Sequence, residues 1–208
     1  ADPKRVAGRN LAAWAKDLES ANQTKRLRAA RTMAIFGASA VPQLTKMLAH
    51  TDPSVRYWAA SHLGDLGKSG APAITALIKN RSDKSFGVQM ATAYALARID
   101  RPAGNLKILI DGLNTNERGT AASAADLLGR IGPSARAALR ELEKTYEKHK
   151  DYHVRGAAKN ALRFVKNDFT LQNHQRPTGG GSPRSWGAGP KQSGPPARAK
   201  AQAAKRPN

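Results

Sequence analysis

An internal repeat of 30–34 residues constrains the fold of this chain more than any other feature of its sequence. Residues 55–67 serve as a template, in which Val55, Ala59, Leu63 and Leu66 mark the recurring positions. The first of these positions recurs, with successive steps of 30, 33, 32 and 34 residues, at Lys25, Val55, Val88, Thr120 and Val154. Because units of this length bury their apolar faces only against their neighbours, the repeat predicts a stacked array of about five units.

The recurring positions place one helix in each unit, which we call the second helix of that unit. Their spacing of four, four and three residues puts them on a single helical stripe. Small residues beside the stripe, such as Ala60 and Gly64, allow neighbouring helices to approach closely. A polar break at residues 51–54 precedes the template helix and offers Asp52 or Ser54 as its N-cap.

An amphipathic segment also lies before each break and predicts a first helix. These first helices cover residues 41–48, 71–78, 106–113 and 135–149. Pro42 and Pro72 fall in the first turn of two of them, where the missing N–H is tolerated. Each unit is therefore a helical hairpin. The predicted fold class is all-α, an α-solenoid of about five hairpins over residues 8–166.

The repeat resembles the HEAT repeats, in particular the short HEAT-like repeats first associated with phycobilin lyases. The resemblance rests on D-P-S-V-R-Y-W-A-A-x-x-L-G-x-L-G at residues 52–67, D-Y-H-V-R-x-A-A-x-x-A-L at 151–162 and A-P-A-I-x-A-L at 71–77. It implies an armadillo-like helical scaffold for protein–protein interaction. The first and fourth units depart from the pattern, which expects Val, Val and Arg at the positions of Lys25, Thr120 and Ala121.

Two shorter phrases, V-R-Y-W-A-A and D-Y-x-V-R, also resemble the HEAT-like arrays appended to the catalytic domain of some secreted bacterial sulfatases. The sulfatase motif C/S-x-P-x-R does not occur in this sequence, so the resemblance implies the accessory array without the enzyme. The sequence begins Ala1-Asp2-Pro3, as a chain does after cleavage at an A-x-A signal site. We therefore expect a secreted or periplasmic bacterial protein, with the cytoplasm as the alternative.

Basic residues exceed acidic ones, 35 to 15, for a net charge of +20. The final stretch, residues 169–208, holds seven basic residues, six Gly and six Pro, and no acidic residue. This composition offers too little apolar surface to offset the entropy of ordering. We predict a disordered Gly/Pro-rich basic tail over residues 167–208 and an acidic partner for the chain as a whole.

The sequence offers no catalytic or metal-binding constellation. Without Cys there is no disulfide, thiolate metal site or Cys nucleophile, and no apolar run approaches the roughly 18 residues of a membrane-spanning helix. Ser61, His62 and Asp65 occupy positions i, i+1 and i+4 of one helix, from which we do not expect them to converge on a substrate. His149 and His153 have a metal-ligand spacing but flank a predicted break. We predict no enzyme, no metal and no cofactor.

The second helices line the concave face of such a solenoid and carry the candidate binding residues. Arginine and large aromatic side chains dominate many protein interfaces. The candidates on the array are Arg28, Arg31, Tyr57, Trp58, His62, Tyr94, Arg98, Arg130, Lys159 and Arg163, and those in the tail are Arg184 and Lys191. Packing of Trp58 against the neighbouring hairpin is the structural alternative to an exposed contact.

Acidic and arginine residues recur together at the breaks, as Asp52 with Arg56 and Asp151 with Arg155. The resemblance implies a ladder in which an acidic residue at the turn and an arginine on the second helix bridge adjacent repeats. The alternative is that Arg26, Arg56 and Arg155 face an anionic ligand. An arginine beside a carboxylate already has a partner, which favours the ladder.

A rigid curved surface without catalytic groups predicts a non-catalytic scaffold or adaptor. It would bind a protein partner through the concave face as a subunit of a larger assembly, with the tail as an auxiliary contact. The alternative is a protein that binds nucleic acid or another polyanion; HEAT-like DNA glycosylases, which are enzymes, resemble this chain only in fold and charge. Asp65 and Asp126 interrupt the row of cations, which argues against this alternative.

Overall fold

The computed structural model describes residues 4–100 and 104–167, so the predicted tail beyond Asn167 lies outside the described residues, and Arg184 and Lys191 lie there with it. The described ranges contain ten α-helices and no strand. These are α1 (Leu11–Lys16), α2 (Gln23–Thr32), α3 (Val41–Met47), α4 (Pro53–Asp65), α5 (Ile74–Lys79), α6 (Phe86–Ile99), α7 (Leu106–Leu113), α8 (Arg118–Ile131), α9 (Leu139–Lys148) and α10 (Tyr152–Lys166). They form five consecutive hairpins, which confirms the all-α solenoid.

The even-numbered helices are the second helices, and each packs against the next one along the array. In α4, Val55, Ala59 and Leu63 are fully buried. The counterparts of these residues and of half-buried Leu66 in the other units are also buried: Ala29, Met33, Phe36, Val88, Thr92, Leu96, Ile99, Ala124, Leu128, Ile131, Val154, Ala158, Leu162 and Val165. Met33 and Phe36 lie in the 3-10 segment Met33–Ala40, directly after α2. Lys25 is exposed and Thr120 half-buried, so the first and fourth units lack an apolar anchor at the first stripe position. The predicted register is therefore correct in all five units.

The first helices begin later than the sequence predicts in two units. Short 3-10 segments, Gly67–Ala73 and Gly132–Ala138, precede α5 and α9. Pro72 consequently lies in a 3-10 segment, whereas Pro42 lies in the first turn of α3 as predicted. The chain leaves α4 and α8 through Gly67 and Gly132, whose φ angles of +53° and +72° favour glycine. The chain reverses its direction at these glycines and passes through the 3-10 segment before the next helix starts.

Two glycines set how closely the second helices approach. A Cβ atom at Gly64 would lie 2.5 Å from Cε1 of Tyr94 and 2.9 Å from Cα of Ala95. A Cβ atom at Gly129 would lie 3.0 Å from Cα of Ala161. Helices α4 and α6, and likewise α8 and α10, therefore pack almost backbone to backbone, as the small residues beside the stripe predict.

An arginine–aspartate ladder joins the first three units. Arg26 donates from Nε and Nη2 to Asp52, at 3.2 and 3.0 Å. Arg56 donates from the same two nitrogens to the two carboxylate oxygens of Asp83, at 2.7 and 2.8 Å. Each pair bridges adjacent units, as the resemblance implies, and Asp52 caps α4 by accepting from Ser54 N. The hydrogen bonds from Arg56 lower the pKa of Asp83, so the pair is ionic at neutral pH.

None of the helices in the described part of the chain is long and apolar enough to cross a membrane.

Candidate partner-binding face

Aromatic residues on α4 form the start of a connected row on the second helices. The Trp58 ring stacks on His62, with ring centroids 5.4 Å apart, and meets the edge of Tyr57 at 5.5 Å. The guanidinium of Arg31, on α2, lies 5.2 Å from the centre of the Trp58 ring. Trp58 is half-buried and packs against the core. The predicted alternatives for Trp58 thus both hold in part, because one side packs while the other faces solvent.

Asp65 extends this row across α4, α6 and α8. The Tyr94 hydroxyl donates a 2.6 Å hydrogen bond to Asp65. Arg130 also donates to Asp65, and it donates to Oγ of Ser61 at 3.2 Å. The Arg130 guanidinium lies 4.5 Å from the centre of the Tyr94 ring, where the cation faces the π system. One carboxylate therefore ties side chains from three consecutive units together.

The Asp65 carboxylate is charged at neutral pH. Burial raises its pKa, but nearby His62, at 3.8 Å, and the hydrogen bonds from Tyr94 and Arg130 outweigh burial and lower the pKa to about 2. Burial and the hydrogen bond to Asp65 raise the pKa of the Tyr94 hydroxyl, which stays protonated. Asp65 thus offsets the positive charge of Arg130.

The acidic residues of this face have a role that the sequence did not predict. Asp65 was expected only to interrupt a row of cations, but it is the centre of the hydrogen-bonded row, and Asp126 lies 3.6 Å from Arg130. Ser61, His62 and Asp65 also come closer than expected, since Nδ1 of His62 is 3.8 Å from Oδ2 of Asp65. They form no proton relay, because the Ser61 hydroxyl accepts from Arg130 and neither His62 nitrogen makes a hydrogen bond.

A groove of about 590 Å³ lies beside this row, between α6, α8 and α10. Its walls include Tyr94, Arg98, Arg130, Asn160 and Phe164. Arg98 is exposed and Phe164 is 49% exposed, so a cation and an aromatic ring both face solvent in this region. The second-helix face, which we define as the row from Arg31 to Arg130 with this groove, can therefore contact a partner by both polar and apolar groups.

Three predicted binding residues do not join the row. Arg28 lies over the Trp14 ring at 5.2 Å, near the start of the array. Lys159 and Arg163, on α10, occupy the register positions of Ala60 and Gly64 on α4. Gly64 faces the following second helix, so these two cations belong to the end of the array and not to the second-helix face.

Comparison with known proteins relates part of this architecture to a known family. Residues 11–97 match the family model of HEAT repeats. This segment is therefore similar to HEAT repeats. Helical hairpins of the same kind continue from this segment to Lys166. None of the curated proteins compared matches the sequence.

Two solved structures share the fold of this helical array. An engineered protein of the Northeast Structural Genomics Consortium superposes with a TM-score of 0.50 and 24% identity, over 76% of this chain and 79% of that chain. The complex of CpcE and CpcF of phycocyanin lyase from Nostoc sp. PCC7120 superposes with a TM-score of 0.50 and 19% identity, over 73% of this chain and 96% of that chain. Identities this low show the fold alone. The family-model match and the shared fold together confirm the predicted resemblance to HEAT-like repeats.

The two histidines with a metal-ligand spacing lie on different elements of the helical array. His149 is the C-cap of α9 and accepts at Nδ1 from Asp151 N. His153 lies in the first turn of α10 and contacts the Tyr152 ring at 3.8 Å between ring centroids. Within residues 4–100 and 104–167, no group of three His, Asp or Glu residues could hold a metal ion.

Proposed function

We propose that this chain is a non-catalytic HEAT-repeat adaptor that binds a protein partner through its second-helix face. The observation that carries the proposal is the connected row from Arg31 through Trp58 and Asp65 to Arg130. These side chains hold one another in place before a partner arrives, so less conformational entropy is lost on binding. Tryptophan, tyrosine and arginine are also the residue types that most often dominate interface energies.

The charge pattern of this face favours a protein over nucleic acid. Asp65 and Asp126 lie beside Arg130 and offset its charge. Nucleic-acid affinity depends on cations that are free to displace counterions from phosphates. Mixed charges fit a protein surface better, and the basic tail serves in this proposal as an auxiliary contact. An extracytoplasmic location for the chain stays a prediction.

The chemistry of the groove supports a non-catalytic role. General acid–base catalysis at neutral pH is most efficient with groups whose pKa lies near 7. Here the pKa of Asp65 falls to about 2, while the pKa of Tyr94 rises. The Ser61 hydroxyl accepts a hydrogen bond from Arg130 and has no contact with a base. The groups that line this face are therefore suited to binding.

Arg31→Glu should weaken partner binding at least about tenfold, because it replaces an exposed arginine over Trp58 with a repelling charge. Tagged full-length chain is incubated with extract of the native source, and recovered partners are quantified for each variant. Lys46→Glu makes the same charge change on exposed α3 and should leave recovery unchanged. Equal recovery with both variants would remove the second-helix face from the interface. Titration with a random DNA duplex at two salt concentrations tests the nucleic-acid alternative.

A further inference from the structure

One arginine at the ladder position, Arg155 on α10, has no aspartate partner among the described residues. Arg155 occupies in the fifth unit the register position of Arg26 and Arg56. All three arginines donate from Nη1 to two backbone carbonyls in the break before their own helix. For Arg155 these acceptors are His149 O, at 2.6 Å, and Lys150 O, at 3.1 Å. The Arg155 guanidinium is therefore anchored in the same way as the two arginines that complete ladder pairs.

The remaining donors of Arg155 differ from those of its counterparts. Arg26 and Arg56 use Nε and Nη2 to bind the aspartate of the next unit. In the part of the chain that the structure describes, nothing accepts a hydrogen bond from Nε or Nη2 of Arg155. Two parallel N–H donors on a fixed guanidinium match the two oxygens of a carboxylate.

The sequence after α10 offers few acidic groups. The 40 residues that follow Asp168 contain no Asp or Glu. Helix α10 runs without a break from Tyr152 to Lys166 and rises about 1.5 Å per residue, so Lys166 lies about 16 Å from Arg155 along the helix axis. The predicted tail therefore carries no Asp or Glu after Asp168 that could complete the ladder at Arg155.

The two ends of the array differ in this respect. In the first unit the ladder position of Asp52 is held by Asn22, which caps α2 by accepting from Lys25 N. Asn22 carries no charge, so it offers an arginine no counter-charge at this position. The last unit keeps its arginine instead, half-buried and with two donors to spare. The end of the array at α10 therefore offers spare guanidinium donors to a carboxylate.

The surroundings of Arg155 indicate what that end can accept. Lys159 and Arg163 follow it by four and eight residues, so the three cations share one face of α10. The equivalent positions in α4 hold Ala60 and Gly64, which allow a neighbouring unit to pack closely. Long cationic side chains keep another HEAT unit from packing that closely and attract acidic groups instead. Tyr152, 67% exposed, adds an aromatic contact at the start of the helix.

We propose that the face of α10 formed by Arg155, Lys159 and Arg163 docks an acidic helix of a partner protein, whose N-terminal aspartate completes the ladder at Arg155. A second copy of the chain is a poor occupant, because the exposed side chains of Lys25 and Arg28 on its helix α2 would repel this cationic face. The site is separate from the second-helix face and adds a second point of contact to an adaptor.

A synthetic helical peptide tests this proposal on the full-length chain. The probe begins Asp-Pro and carries glutamate at every fourth position on an alanine background. Arg155→Gln should weaken peptide binding about fivefold or more, and replacing the peptide's aspartate with asparagine should cause a similar loss. The two changes together should cause little further loss, since they remove the same contact. Arg140→Gln, the same charge change on exposed α9, should alter binding less than twofold.

The Nε–H resonance of Arg155 gives a readout on the unmodified chain, independent of variant stability. It should shift when the peptide is added, while that of Arg56, already bound to Asp83, should not. Equal losses for Arg155→Gln and Arg140→Gln, or fully additive losses in the double change, would overturn the proposal. An unshifted Arg155 resonance at saturating peptide would overturn it as well, and so would complete displacement of the peptide by an equimolar random DNA duplex.

Discussion

Ala60→Arg should lower the free energy of unfolding by about 4 kcal/mol or more, because it forces a long charged side chain into a close-packed contact between helices. Ala60 is fully buried on α4. One turn later, Gly64 packs so closely against α6 that even a Cβ atom would lie 2.9 Å from Cα of Ala95. This contact therefore has no room for an arginine side chain. Urea unfolding followed by circular dichroism measures the effect.

Ala49→Arg provides the matched control for this substitution. Ala49 is exposed just after α3, so the same new side chain meets solvent there. We expect a change within about 0.5 kcal/mol. If the two variants unfold at the same urea concentration, Ala60 does not face a neighbouring helix and the register of the repeat is wrong.

Arg56→Met should cost about 3 kcal/mol, because it breaks a largely buried ion pair and leaves one partner without its counter-charge. The side chains of Arg56 and Asp83 are only 16% and 8% exposed. Arg56 also holds two carbonyls of the break before α4, at His50 and Thr51. The substitution therefore loosens both the contact between units and the start of the helix. Urea unfolding again measures the loss.

The double variant Arg56→Met/Asp83→Asn isolates the coupling energy between the two side chains from their contacts with other residues. Removing both charges spares the cost of an unpaired carboxylate, so the double variant should be less destabilised than the sum of the single variants. Lys107→Met breaks an exposed ion pair with Asp111 on α7 and should cost no more than about 0.5 kcal/mol. Strict additivity at Arg56 and Asp83 would show that the ladder pair contributes no coupling energy between units.

The fold could be predicted because its rules are local. A stripe with steps of four, four and three residues places Val55, Ala59 and Leu63 in the core, and its second and third positions are buried in every unit. The first residues of α5 and α9 were predicted less accurately. They depend on how the chain reverses at Gly67 and Gly132 and passes through a 3-10 segment, which a helical stripe does not encode.

The binding face could be predicted only in part, because its key contact is not local. Arg130 reaches Asp65 across α6, and the two residues lie 65 positions apart. A repeat alignment does place both at the same register position, with opposite charges, and this is the signal in the sequence from which the pair could be predicted. The same alignment could have placed Lys159 and Arg163 at the end of the array, where the smaller residues of earlier units meet their neighbours.

Site-specific photo-cross-linking tests the central claim, that a protein partner binds the second-helix face. A photo-reactive amino acid replaces Ser123, which lies on α8 at the register position of Trp58, or Lys107, which is exposed on α7. Each full-length variant is irradiated in extract of the native source. We predict a protein adduct from position 123 and none from position 107. Adducts from position 107 alone, or equally from both positions, would contradict the account.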